Sequence, residues 1–278
     1  MTCEVMSERP GVVHTLAMNP AFGPLLRDWR ETRRMTQEQL AFAAEVSTRH
    51  VSFVENGRTQ PSRQMVLLLA TALDVPLRER NALLVAAGFA AVYRETDFEA
   101  PELEHVRRAV EFLLTRAEPY PAVVIDSAYN VRRANLGAGR LFAALLPRPP
   151  PRFNLLELLF DPAGLRPLCV EWEALAATLL ERAHREAVLD GPRSPSAAAL
   201  REVLARADLP PRLRQRSPAG PLPLVIPVRL RLGDLEIGLF STLTMLGSPA
   251  DVTTQELRLE SFFPADDATE RWVRSLAE

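Results

Sequence analysis

The chain has 278 residues, of which 47% are hydrophobic and 24% are charged. These fractions are typical of globular proteins, and the length suffices for about two domains. The formal net charge is −2 and all 33 cationic residues are arginine, which argues against a generally basic protein that coats nucleic acid. Two cysteines make no disulfide framework, the four histidines lack metal-ligand spacing, and no apolar run approaches the ~20 residues that span a bilayer. We therefore expect a cytoplasmic protein with no metal site and no membrane partner.

The N-terminal part predicts an arm followed by a helical domain. Residues 1–20 show no periodicity and are predicted to form a flexible arm. A helical domain is predicted over 21–90, and its first helix places Leu25, Leu26 and Trp29 on the inner side. Between residues 22 and 89 there are nine arginines and seven acidic residues. With so small a surplus of positive charge, contacts to DNA phosphates have to be concentrated on one face.

Residues 36–62 predict two short helices joined by a tight turn. Thr36 followed by Gln39 forms a capping box, which starts a helix. Ser47 can cap a second helix, which is predicted over about 48–56. Such a pair is typical of a helix-turn-helix, whose second helix enters the DNA major groove.

The second of these helices carries the candidate base contacts. Its outward side chains are predicted to be Thr48, Arg49, Ser52 and Phe53. Arginine can fork onto guanine, serine and threonine can bond to several bases, and phenylalanine can pack on a thymine methyl group. For Phe53, packing against the fourth helix is the alternative.

One long run matches a DNA-binding family, QEQLAFAAEVSTRHVSFVENGRTQPSRQMVLLLATAL. It resembles the Cro/CI-type (Xre-like) helix-turn-helix of phage repressors and bacterial regulators, an all-α, lambda-repressor-like domain. The resemblance implies binding to a double-stranded DNA operator, with Gln37, Asn56 and Arg58 holding the phosphate backbone. It also implies that Arg30 and Glu55 form a buried ion pair.

The turn between the two helices departs from that family. The family usually has glycine where this chain has Glu45. Glu45 is therefore expected to adopt a left-handed conformation, or the turn has to adjust.

A linker and a second domain follow. Residues 91–103 lose helical periodicity and are predicted to be a linker. The next helix, Leu103 to Ala117, is amphipathic, and either packs on its own domain or joins a dimer interface. Apolar runs then predict strands separated by helices, at Val123–Ile125, Tyr129–Arg133, Leu222–Leu232, Leu235–Met245 and Glu256–Phe263.

This order of elements predicts an α+β second domain over 104–263. Two strands, several helices and three more strands can form a five-stranded antiparallel sheet with helices on one face. Residues 264–278 are predicted to be a polar C-terminal tail that ends in a short helix. The whole chain is thus expected to have two domains, all-α and then α+β.

The second domain also matches a family, in the runs PAVVIDSAYNVRRANLGAGRLF, NLLELLFDP and VEWEALAATLLERA. These runs resemble the ligand-binding domain of MmyB-like transcription regulators, a PAS-like fold that follows a Cro/CI-type module. The resemblance implies a fatty-acid-like ligand. A W-x-x-H-D-V segment usual in that family is replaced here by LRQRSPAGPLP.

A sheet covered by helices often encloses an apolar ligand cavity. Arg133 or Asn135 could anchor a polar head group, although Asn135 could instead cap the helix that it precedes. The same apolar residues could equally form a plain packed core. The full set of predicted lining residues is Val124, Val131, Arg133, Asn135, Leu155, Leu159, Trp172, Leu230 and Ile237.

The sequence carries none of the common catalytic motifs, neither a G-x-S-x-G, a Walker loop, a G-x-G-x-x-G nor an H-E-x-x-H. We therefore expect a homodimeric, sequence-specific transcription factor that needs no cofactor and senses a small hydrophobic ligand. One alternative is a ligand-free regulator whose second domain only dimerises or binds a protein, and another is an enzyme tethered to DNA.

Overall fold

A computed structural model of the chain describes residues 22–214, 225–246 and 250–277. The predicted arm, 1–20, and most of the LRQRSPAGPLP segment lie outside these residues. Five helices form the first domain: α1 (Phe22–Thr32), α2 (Gln37–Ala43), α3 (Thr48–Glu55), α4 (Arg63–Ala72) and α5 (Leu77–Ala86).

The helix starts follow from side-chain caps. Thr36 accepts a hydrogen bond from the backbone N–H of Gln39, whose side chain in turn accepts one from the backbone of Thr36, so the predicted capping box is present. Ser47 and Ser62 cap α3 and α4 in the same way. The predicted positions of these helices are therefore confirmed.

The five helices close around one apolar core. Leu26, Leu40 and Leu69 are fully buried, and Trp29 is 3% exposed. Gly23 lets α1 approach α3, because a Cβ atom there would lie 2.4 Å from the carbonyl oxygen of Glu55. The core thus locks α3 against α1 and leaves the opposite side of α3 free.

The second domain combines one sheet with eight helices in the described residues. The strands are β1 (Ala122–Ile125), β2 (Val131–Ala134), β3 (Ile226–Leu232), β4 (Leu235–Met245) and β5 (Arg258–Pro264). The helices are α6 (Glu104–Ala117), α7 (Leu136–Leu145), α8 (Leu155–Phe160), α9 (Trp172–Asp190), α10 (Pro195–Ala205), α11 (Pro211–Arg214), α12 (Val252–Glu256) and α13 (Asp267–Ser275).

All neighbouring strands pair antiparallel, in the order β2-β1-β5-β4-β3. The predicted five-stranded antiparallel sheet and two-domain α+β layout are confirmed. The expectation of helices on one face only is wrong. Val123 and Ile125 pack with α7 to α10, whereas Val124, which points the other way, packs with Val110 and Leu114 of α6. Successive side chains of a strand point to opposite faces of the sheet, and in β1 the side chains on both faces are apolar. Helices therefore cover both faces of the sheet.

The predicted linker and tail both contact the second domain. Phe98, within 91–103, is buried in the cluster that α6 forms with β1. Helix α13 contacts β4 and β5, and its Thr269 hydroxyl accepts a hydrogen bond from the backbone N–H of Gly238. Both segments therefore extend the packing of the sheet domain.

None of the helices in the described ranges is long and apolar enough to cross a membrane.

Candidate DNA-binding surface and ligand cavity

Helix α3 presents one face to the core and one to solvent. Val51 and Val54 are buried, whereas Thr48 and Arg49 are exposed. Ser52 and Phe53 are half-buried. The four candidate base contacts therefore lie on the side of α3 turned away from the core, as their helical spacing requires.

The turn before α3 uses a non-glycine residue in the left-handed region. Glu45 has a φ of 53°, so the expected conformation is confirmed. The glutamate side chain is exposed, so the strain is confined to the backbone. Such a conformation costs an L-residue roughly 1–2 kcal/mol. The chain keeps the turn geometry of a helix-turn-helix without its usual glycine.

A buried ion pair fastens α1 to the end of α3. The Nε atom of Arg30 lies 2.6 Å from Oε1 of Glu55, and its Nη2 atom lies 3.1 Å from Oε2. The Glu55 side chain is 0% exposed. Burial works to raise the pKa of Glu55, but hydrogen bonds from Arg30 and Gln37 outweigh it and lower the pKa overall. The carboxylate is therefore ionised and fully engaged.

Two of the predicted backbone-contact residues are tied into this network. Gln37 donates from Nε2 to Glu55 at 2.8 Å, and Asn56 accepts from Arg27 at 2.9 Å. Asn56 also donates to the Ser52 carbonyl oxygen at 2.8 Å. These bonds fix the orientation of the two side-chain amides.

Phe53 lies between two guanidinium groups. The Cζ atom of Arg49 is 5.0 Å from the centre of its ring, and that of Arg58 is 5.8 Å away. Phe53 lies outside the core cluster of the first domain. Among the described residues, Arg49 and Arg58 have no carboxylate partner, so this surface carries unneutralised positive charge.

The two domains meet where α9 ends. Gly191 has a φ of 100°, and a Cβ atom there would lie 2.6 Å from Cζ2 of Trp29 in α1. Arg33 extends along the same contact: it lies over the Trp29 ring at 5.0 Å and donates to the carbonyl oxygen of Leu189 at 3.1 Å. The end of α9 thus packs directly against the first domain.

A second contact joins α5 to α12. Arg78 donates to both carboxylate oxygens of Glu256, at 2.7 and 3.1 Å, and to both of Glu95. These bonds, foremost those to Glu256, raise the pKa of Arg78. The first backbone N–H of α5, on Leu77, donates to the side chain of Gln255 at 2.8 Å. A residue of the second domain therefore caps a helix of the first. We refer to these contacts of Trp29, Arg33, Leu77 and Arg78 with the second domain as the domain junction.

A cavity of about 90 Å³ lies between the sheet and helices α7, α8 and α9. Three of the predicted lining residues reach it, namely Leu155, Leu159 and Leu230. The complete lining is Tyr129, Leu141, Phe142, Leu145, Leu155, Leu156, Leu159, Leu165, Leu175, Leu179, Arg182, Ile226, Val228, Leu230, Leu239, Ser241, Glu260 and Phe262.

Three apolar predictions for the lining are wrong. Val124 faces α6 on the other side of the sheet. Trp172 packs edge-on against Phe160 and donates its indole N–H to the Leu159 carbonyl oxygen, at 2.9 Å. Ile237 packs into a neighbouring cluster with residues of α7. Each is buried or half-buried as expected, but against different neighbours.

The residues of β2 and its C-terminal end are also not part of the cavity. Val131 and Arg133 lie at the edge strand, where Arg133 pairs with Glu99. Asn135 caps α7, accepting from the backbone N–H groups of Ala122 and Ala138. The capping alternative is thus the observed one for Asn135, whereas Val131 and Arg133 line a separate pocket beside α7.

The sequence prediction does not include the two charged residues that line the cavity. Arg182, on α9, and Glu260, on β5, are both buried and form an ion pair at 3.1 Å. Two signals were present. Arg182, Glu186 and Asp190 recur every fourth residue on one side of α9, and Glu260 interrupts a strand that is otherwise rich in apolar residues.

Other chemistry finds little support in the described part of the chain. It contains no group of three or more His, Cys, Asp or Glu side chains that could hold a metal ion. Burial raises the pKa of Cys169 to about 11, so its thiol is protonated at neutral pH and a weak nucleophile.

Comparison with known proteins places both domains. Residues 21–83 match the model of a helix-turn-helix domain. A stretch of 86 residues is 37% identical to RghRB of Bacillus subtilis, an uncharacterized HTH-type transcriptional regulator, and covers 31% of this chain and 59% of that protein. The chain thus spans less than two thirds of this relative. Residues 106–276 match the MmyB-like transcription regulator ligand binding domain, which is more than half of the chain. The protein, a transcriptional regulator with a helix-turn-helix domain and a ligand-binding domain, therefore belongs to the MmyB-like transcription regulators.

Proposed function

We propose that the protein binds a double-stranded DNA operator as a homodimer and that a small hydrophobic molecule in the second domain alters its affinity for that operator. One observation carries this proposal. Helix α9 lines the cavity and ends against α1. Helix α1 is in turn ion-paired to α3, the proposed recognition helix. A change at the cavity therefore has a direct physical route to the DNA-binding surface.

The proposed base contacts are Thr48, Arg49, Ser52 and Phe53. Their support is the position of these side chains on the free side of α3, which has the dimensions to enter a major groove. Arg49 is held beside the Phe53 ring, which limits its rotamers and lowers the entropy lost on binding a base.

The proposed phosphate contacts are Gln37, Asn56 and Arg58. The amides of Gln37 and Asn56 are held by Glu55 and Arg27, so their orientation is set in the free protein. Phosphate contacts of this kind position a protein on the duplex and do not read the sequence.

A homodimer is proposed because a single short α3 reads only one half-site. Two helix-turn-helix modules bind half-sites about one helical turn apart, which gives the operator two-fold symmetry. Light scattering of the purified chain and footprinting of selected genomic fragments test this together. One protected half-site and a monomeric mass would contradict it.

The proposed ligand has an apolar body, in keeping with the fatty-acid-like chain that the resemblance implies. Leucine, isoleucine, valine and phenylalanine make up fourteen of the eighteen residues that line the cavity. Its volume of about 90 Å³ is below the roughly 300–1,000 Å³ of common ligand sites. A long chain can enter only if α8 or α9 moves outward.

Such a movement would reach the domain junction. Leu175 and Leu179 of α9 line the cavity, and the same helix ends beside Trp29. A ligand changes operator affinity only by the difference in its own affinity for two conformations. Here the two conformations would differ in how α9 presses on α1.

A second candidate function is a contact surface for another protein or a second copy. Phe112 and Leu136 are 59% and 69% exposed on the second domain. Exposed apolar side chains indicate a contact surface where they form a contiguous patch. In that case the second domain dimerises or binds a protein and needs no ligand.

Mass spectrometry of an organic extract of the purified protein separates these two functions. A co-purified apolar molecule, and a change in operator affinity when it is added back, support the sensor. Protein that is empty, and whose operator affinity no apolar compound alters, supports the contact surface instead.

A further inference from the structure

The charged residues at the wall of the cavity already satisfy one another. Arg182 donates from Nε to Glu186 at 3.0 Å, and from its two Nη atoms to Glu260 at 3.1 and 3.4 Å. Arg182 and Glu260 are 7% and 5% exposed. They are the only charged residues among those that line the cavity in the described part of the chain.

The ion pair continues away from the cavity as a row. Glu186 also pairs with Arg258 at 2.5 Å and accepts from the Tyr129 hydroxyl group, and Arg258 reaches Asp190 at 3.3 Å. The row holds three carboxylates, those of Glu186, Asp190 and Glu260, and two guanidinium groups. It therefore has one negative charge more than it has positive charges.

Protonation does not reverse this excess. Burial raises the pKa of Asp190, so a proton taken up by this carboxylate is one way in which the charge of the row can change. With that proton in place the row is neutral, and it is not positive in either state. An anionic head group would find no unneutralised cation at the cavity wall.

We propose that the cavity selects an uncharged ligand, with an apolar body and one hydrogen-bonding group such as a hydroxyl or an amide, over a carboxylate of the same chain length. This rests on the proposed function of the cavity as the ligand site. A carboxylate at Arg182 would bring a further negative charge to a guanidinium that Glu186 and Glu260 already neutralise. An uncharged group can instead bond to the Ser241 hydroxyl, which lines the cavity.

The test compares ligands that differ only in the head group. Hexanol, hexanamide and hexanoate, with their decyl counterparts, are titrated into the full chain at neutral pH and followed by calorimetry and by thermal shift. Short chains are included because the cavity, at about 90 Å³, is smaller than the ~150 Å³ that holds a benzene molecule. We expect the alcohol and the amide to bind at least ~10-fold more tightly than the carboxylate, a difference of about 1.4 kcal/mol.

The outcomes are distinct. Tighter binding of the carboxylate overturns the charge argument and leaves the cavity as a ligand site. If no member of either series binds, the proposed sensor function fails, and the inference with it.

A charge substitution provides the stronger control. In Glu260→Gln, Arg182 loses its bidentate carboxylate, so affinity for hexanoate should rise at least ~10-fold, and that for hexanol should change little. Glu236→Gln is the matched control, since Glu236 is an exposed acid of the same sheet with its own partner, Arg229. It should leave both affinities unchanged, and an equal gain in both variants would overturn the proposal.

A milder variant covers the case in which Glu260→Gln does not fold. Ser241→Ala removes only the hydroxyl group from the cavity wall, and is expected to weaken hexanol binding several-fold with no effect on hexanoate. Unchanged hexanol binding in Ser241→Ala, with hexanoate bound as tightly as hexanol by the wild type, would contradict the proposal without any use of Glu260.

Discussion

The two domains differ in how many structural elements build their candidate functional surface. The proposed DNA-binding face lies on one helix of eight residues, and one buried ion pair, between Arg30 and Glu55, ties the end of that helix to the rest of the domain. The cavity is lined by residues of three strands, β3, β4 and β5, and of three helices, α7, α8 and α9, and its charged row crosses from α9 to β5. A site on a single helix is set by local spacing, whereas a site between layers is set by which layer covers which face.

The largest effect is expected from removing the ion pair of the first domain. Arg30→Ala leaves the Glu55 carboxylate, with a 0% exposed side chain, without its main partner. We expect a loss of about 3–5 kcal/mol in the free energy of unfolding of the first domain. Denaturant titration followed by circular dichroism measures it.

Arg27→Ala is the control for that substitution. Arg27 lies 3.5 Å from the same carboxylate, but its side chain is 43% exposed. It should cost less than about 1 kcal/mol. Equal losses in the two variants would show that burial does not decide the strength of this pair.

The next effect tests the junction where the two domains meet. Gly191→Ala places a Cβ atom 2.6 Å from the Trp29 ring at a φ of 100°. We expect the contact to open and the free energy of unfolding to fall by about 1–3 kcal/mol. Limited proteolysis of residues 91–100 reports the opening.

A second glycine separates the clash from the backbone strain. Gly233 also has a positive φ, of 59°, but a Cβ atom there would meet nothing within 4 Å. Gly233→Ala therefore carries only the conformational cost, and should leave the proteolysis pattern unchanged. If both variants are cut equally, contact with Trp29 is not what holds the junction.

A comparable effect, mainly on binding, is expected from Arg49→Ala. The side chain is exposed and has no ion pair among the described residues, so the free energy of unfolding should fall only by the ~0.5–1 kcal/mol of its contact with the Phe53 ring. We expect operator affinity to fall by about 1–3 kcal/mol. Arg108→Ala removes the same charge from α6, where Arg108 pairs with Glu104 at 2.9 Å, and should leave operator binding intact.

The smallest effect concerns the turn before α3. Glu45→Gly removes the cost of a left-handed conformation from the folded state, but adds conformational freedom to the unfolded chain. We expect a net stabilisation of about 1 kcal/mol or less. A variant less stable than the wild type would show that the Glu45 side chain has a role of its own.

The predictions made from the sequence follow this division. The caps at Thr36, Ser47 and Ser62 and the conformation of Glu45 depend on residues within four positions of each other, and the structure has them. The five-stranded antiparallel sheet is also predicted, from the number and order of the strands, whereas the strand order within it is known only from the structure.

The cavity could not be derived in the same way. Both faces of β1 are buried, so this strand lacks the alternation of polar and apolar residues that distinguishes the two faces. The sequence therefore does not show which face Val124 occupies. The sequence allows Asn135 either to cap α7 or to anchor a head group. Its four hydrogen bonds in the structure show that it caps the helix. The ion pair of Arg182 with Glu260 spans 78 positions, beyond the reach of any local pattern.

The position of Trp29 also gives the molecule an optical reporter. The chain has three tryptophans, and Trp29 is the one whose ring touches Gly191 under the guanidinium of Arg33. Separation of the domains would expose this indole to water and shift its fluorescence emission to longer wavelength. In a chain with Trp172 and Trp272 replaced by phenylalanine, Trp29 would be the only tryptophan. Its emission maximum could then be followed while ligand or promoter DNA is added.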